Sequence, residues 1–143
     1  MDILEKRHVE ISALALDGLA TRHKAITSNI ANAESPDYKK VEVQFENQLR
    51  RIINTEEKKD QYMLDNMFSE NRVPYTPGKF DMSYKEFNPQ VMTSESGIAG
   101  RSNVNVEREM AELAKNGMRY NALATLQQKA YQGMKDLIKG GGG

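Results

Sequence analysis

Near the start of the chain, Val9, Ser12, Leu16, Leu19, His23, Ile26, Ile30 and Ala33 recur at alternating spacings of three and four. That alternation is a heptad seam on one side of a helix, and it predicts a helix from about residue 5 to about residue 34. Ser12 and His23 make the seam imperfect, and His23 on it reads as a packed or inter-subunit hydrogen bonder. Ser35-Pro36 ends the helix, because a residue before proline is pushed out of the α region.

Val41, Val43 and Phe45 alternate at period two, whereas Phe45, Leu49, Ile52 and Ile53 fit helical spacing. Residues 37–54 therefore read as a turn, an extended piece and a short helix. Residues 55–61 are a charged run and read as surface. From 69 to 102, Pro74, Pro77-Gly78, Pro89, Gly97 and Gly100 break any long element, with Tyr75, Phe80, Tyr84 and Phe87 scattered between them. A loop of that length without its own core is functional or disordered, here an arm that orders against a partner.

The strongest pattern is the last. Val106, Met110, Leu113, Gly117, Tyr120, Ala124, Gln127, Tyr131, Met134 and Ile138 alternate by four and three, and Leu123, Leu126, Ala130 and Leu137 widen the stripe. Asn105 is the expected N-cap, with Glu107 and Glu109 in the first turn where acids favour the helix dipole. A helix from about 105 to 138 would be about 50 Å long. Gly117 and Gly133 inside it each cost about 1 kcal/mol relative to Ala. They read either as close approach of a neighbouring backbone or as weakness tolerated in a helix that folds on docking.

The predicted fold class is mainly α: two long terminal amphipathic helices pairing as an antiparallel coiled-coil hairpin, with an irregular or partly disordered middle segment. The divisions are 1–36 (helix and turn), 37–102 (short helix and middle arm), 103–139 (C-terminal helix) and 140–143 (flexible glycine tail). A hairpin hides one stripe of each helix and leaves the widened C-terminal face exposed. A contiguous exposed apolar patch marks an interface, so the pattern favours a building block of an assembly over a self-contained bundle.

Composition narrows the chemistry. Lys plus Arg number 20, as do Asp plus Glu, which leaves no basic excess for nucleic acid. There is no cysteine, so disulfide and thiolate chemistry are excluded. No apolar h-region follows the N-terminus and no window approaches a membrane span. His8 and His23 cannot meet on one helix, and neither has a carboxylate at metal-ligand spacing. Glu107, Glu109 and Glu112 are accounted for by capping and solvation. Neither a phosphate loop nor a nucleophile elbow is present. No enzyme activity, cofactor, metal or small-molecule substrate is expected.

Asn29-Ile30-Ala31-Asn32-Ala33-Glu34-Ser35-Pro36-Asp37-Tyr38 resembles the N-terminal signature of the bacterial flagellar axial proteins, the rod, hook and hook-associated family. Ser35 stands for the signature's Thr and Asp37 for its Gly, in a turn that Asp tolerates. Asn103 through Leu113, followed by Arg119-Tyr120-Asn121-Ala122-Leu123, is similar to the C-terminal helix of that family's proximal rod members. The short middle also suits them, although residues 55–100 carry little of the likeness.

The resemblance implies a structural subunit of the proximal rod. Such a subunit transmits torque from motor ring to hook and resides in the periplasmic rod after unfolded export by the flagellar type III apparatus. Its implied assembly residues are Leu16, Leu19, Ile26, Asn29, Ile30 and Asn32 on one helix. Met110, Leu113, Tyr120, Leu123, Tyr131 and Met134 are those on the other. Phe45 and Leu49 resemble the short Phe-x-x-x-apolar element that docks at the export gate; a packed amphipathic turn explains them equally. Implied partners are further copies, the rod proteins FlgC and FlgF, the FliE adaptor, and the membrane ring and export gate. The rival readings are another proximal rod protein, FlgC-like, and a soluble helical export adaptor or chaperone.

Overall fold

The computed structural model describes residues 3–67, 74–94 and 102–140, with side chains described from residue 7 to residue 136 of these. The described elements are α1 (Ile3–Ala31), β1 (Val41–Gln44), α2 (Glu46–Asp65), a 3-10 turn (Tyr84–Glu86), β2 (Gln90–Thr93) and α3 (Val106–Gly140). The chain is mainly helical with two long terminal helices, as the periodicity predicts.

α1 stops at Ala31 rather than running to 34. Beyond it, Ser35 N donates to Asn32 O at 3.0 Å and Tyr38 N to Ser35 O at 3.3 Å, so consecutive tight turns carry the chain around Pro36. Asp37 takes φ 60, the left-handed conformation for which the resembling signature supplies glycine. The short polar side chain of Asp makes that conformation accessible.

The described part of the middle segment is more ordered than its breakers suggest. α2 continues straight through the charged run, with Thr55 and Glu56 buried. β2 pairs antiparallel with β1, placing Val41 opposite Thr93 and Val43 opposite Val91. The stretch from Pro74 to Asn88 is held to α2 by bonds to its backbone. Gln48 exchanges two bonds with the Asn88 backbone at 2.7 and 2.8 Å. Arg51 Nε donates to Phe80 O at 3.0 Å, and Met82 N donates to Thr55 Oγ1 at 2.9 Å. Lys58 pairs with Asp81 at 2.6 Å. Gln48, Arg51, Thr55 and Lys58 lie three and four apart, so they form one polar helix face that supplies the partners an isolated loop would lack. Gly97 and Gly100, Gly141–Gly143 and the side chains of Leu137 and Ile138 lie outside the described residues.

α1 packs against α3 on one side and β1 on another. The core gathers where these meet: Leu19, Ala25, Val43 and Phe45, with Val41, Leu49, Phe87 and Leu123 against them. Phe45 lies at the start of α2 and its ring lies over Gly18, where a Cβ would come within 2.5 Å of ring carbons. Glycine there lets the ring reach the helix backbone.

Candidate assembly interface

The turn after α1 is tied to both long helices by one side chain. Asn29 is fully buried. Its Nδ2 donates to Val41 O at 2.8 Å and to Glu109 Oε2 at 2.9 Å. Its Oδ1 accepts from Val41 N at 2.8 Å and from Tyr38 OH at 3.2 Å. Two donors and two lone pairs are the whole capacity of an amide side chain, so Asn29 is saturated. Lys40 Nζ holds the other oxygen of Glu109 at 3.0 Å. Glu109 is 3% exposed, a charge tolerable in the interior because both carboxylate oxygens are partnered. Capping alone does not account for this glutamate. Asn105 fills the capping role, its Oδ1 accepting from Arg108 N at 2.9 Å.

A second joint holds the start of α2. Arg22 donates to Val43 O at 2.8 Å, reaches Glu46 at 2.7 Å and stacks 4.6 Å from the centroid of the Phe45 ring. Phe87 meets that ring edge-on with centroids 6.4 Å apart. The Arg22 guanidinium pulls Glu46 down from 4.5 to about 2. Near the other end of α1, Arg7 bridges Glu56 at 3.1 Å and Asp60 at 2.9 Å. Beside it, burial foremost, and then Glu56, push Tyr84 up to about 12.

The sequence-predicted residues divide into two groups. Leu19, Ile26 and Asn29 are buried within the chain, and Leu16, Ile30 and Asn32 are half-buried. Asn32 returns its Nδ2 to Ser28 O at 2.8 Å. Phe45 is buried and Leu49 half-buried beside it. On α3, Leu113, Leu123 and Met134 are half-buried, whereas Met110, Tyr120 and Tyr131 are exposed. The buried side of α3 is rotated toward Glu109 and Asn116, because these polar side chains make bonds to α1. Asn116 Nδ2 donates to Leu19 O at 2.9 Å. His23, on the predicted seam, is exposed.

What remains outward on α3 is apolar: Met118 is 67% exposed, Leu126 63% and Met110 59%, with Val106, Tyr120 and Tyr131 also exposed. Met63, Leu64 and Met67 repeat the pattern at the end of α2. Among the described residues, no group of three or more His, Cys, Asp or Glu is placed to hold a metal ion, and no helix is long and apolar enough to cross a membrane.

No family model matches the chain. Individual proteins do. It is 32% identical over 130 residues to the flagellar basal body rod protein FlgB of Bacillus subtilis, covering 89% of each chain. To FlgB of Borreliella burgdorferi it is 24% identical over 136 residues, covering 94% of this chain and 97% of that one. To FlgB of Escherichia coli it is 22% identical over 130 residues, covering 89% of each. With likeness running almost end to end, across both long helices and the turn built on Asn29, the chain belongs to the FlgB family of flagellar basal body rod proteins.

Proposed function

We propose that the chain is a structural subunit of the proximal rod, situated in the periplasmic part of the flagellar basal body and transmitting torque from the motor ring to the hook. The observation that carries this reading is the row of large apolar side chains left exposed along α3 in a chain of this family. Water-exposed Met, Leu and Tyr in such number mark an interface.

In this reading α1 and α3 pair antiparallel. Stepping back along α1 from Asn29 to Leu19 steps forward along α3, from Glu109 to Asn116, which supports opposite directions. Leu19, Ile26 and Asn29 serve the pairing inside the subunit, helped by Leu16, Ile30, Asn32, Leu113, Leu123 and Met134. Met110, Tyr120 and Tyr131 face neighbours: further copies, FlgC and FlgF, FliE and the membrane ring. Export through the flagellar type III gate takes the chain unfolded. Phe45 and Leu49 are packed in the fold, so a gate that reads them meets them in the unfolded chain.

The test is a double substitution on the exposed face, Met110→Asp with Leu126→Asp. Neither side chain is part of the core, so the purified variant should keep the melting temperature of the native chain. It should still leave the cytoplasm, yet be missing from basal bodies, and the cells should be non-motile. Motile cells with the variant in their basal bodies would remove α3 from the interface.

A further inference from the structure

Asn116 is the one asparagine in the chain that glycine follows. That dipeptide has a chemistry of its own. The backbone nitrogen of the glycine can attack the side-chain carbonyl carbon of the asparagine, because no Cβ shields its approach. A new C–N bond closes a five-membered succinimide, the attacking nitrogen gives up its proton, and the side-chain nitrogen leaves as ammonia. Water then adds to either ring carbonyl and opens the ring to aspartate or isoaspartate.

The fold closes this route at both reacting groups. Gly117 lies inside α3, where a backbone N–H is spent on the helix ladder and held away from the preceding side chain. The Asn116 side chain is 4% exposed, and its Nδ2, the leaving group, donates to Leu19 O at 2.9 Å. Packing does not ask for glycine at 117. Among the described residues nothing stands within 4 Å of where its Cβ would be, and glycine weakens a helix interior relative to alanine.

We infer that Asn116-Gly117 is a site of spontaneous deamidation, open while α3 is unfolded and closed when it docks on α1, and that conversion there loosens the joint between the two helices. The aspartate product carries a carboxylate oxygen where Nδ2 stood, so acceptor faces acceptor at Leu19 O. A charge buried without a partner is costly. The isoaspartate product adds a methylene to the helix backbone as well. A chain that lingers unfolded therefore carries the damage into its own α1–α3 contact.

The test holds the native full-length chain at mildly alkaline pH, in buffer and in urea, and follows the mass of the peptide that contains residue 116. Conversion of amide to acid should be about tenfold or more faster in urea, where the protecting structure is open. Equal rates in the two, or no conversion in urea, overturn the inference. Gly117→Ala places a methyl in open space, so it should fold as the native chain does, and in urea it should convert about tenfold more slowly. An unchanged rate overturns the inference too. Asn116→Asp, which is one of the two products, should melt several degrees below the native chain; an unchanged melting temperature overturns the claimed effect on the joint.

Discussion

Asn29 does with one side chain what a longer turn would need several residues to do. It closes the backbone of Val41, orients Tyr38 and partners the buried carboxylate of Glu109. Replacing it by Leu keeps the volume but strands those groups, each costing about 1–3 kcal/mol when buried without a partner. Asn29→Leu should lower the unfolding free energy by about 3 kcal/mol in urea titration. A loss under about 1 kcal/mol would show that water replaces the amide. Gly18 works by absence. A methyl at that position would overlap the Phe45 ring, so Gly18→Ala should destabilise by about 1–3 kcal/mol. Combined with Phe45→Leu, its cost should shrink, since residues in contact do not add; strict additivity would place the strain elsewhere.

At the scale of elements, the joint between α1 and α2 is electrostatic as well as packed. Glu46 titrates at about 2 in the fold against 4.5 unperturbed. A carboxylate whose folded value is depressed contributes stability above its unfolded value and loses it as pH falls through the folded one. That contribution should be complete above pH 4.5 and fade toward pH 2. The melting temperature of the native chain should accordingly fall more steeply over that window than that of Arg22→Gln, and parallel curves would dismiss the pair. This joint also explains what the sequence concealed. The heptads of α1 and α3 announce two long helices because their apolar spacing is regular. The second buried face of α1 is built from Gly18, Arg22, Ala25 and Asn29, and a hydropathy pattern reads Gly, Arg and Asn as surface. Glu109 and Asn116 deceive in the same way on α3, since their burial depends on partners far along the chain. β2 was hidden too. Val91 and Met92 are exposed, so no alternation marks the strand, and its register comes from β1. The family signature around Asn29 named that residue for assembly, and the fold uses it in bonds within the chain.

For the whole molecule, polar and apolar duties are reversed from the usual order. Inside, α1 is joined to α3 in part by asparagine and glutamate, and to α2 by arginine. Outside, α3 presents methionine, leucine and tyrosine. Directional bonds fix how the subunit's own helices meet. In the proposed rod subunit, the non-directional apolar face would supply association energy, in proportion to area removed from water. A member of a family of rod proteins would have this use for such a face. The most direct measurement of the claim is thiol labelling at Met118→Cys and at Leu126→Cys, in the purified monomer and in intact basal bodies. The account predicts rapid labelling of both in the monomer and protection of both in the basal body. Equal labelling in the two states would contradict it.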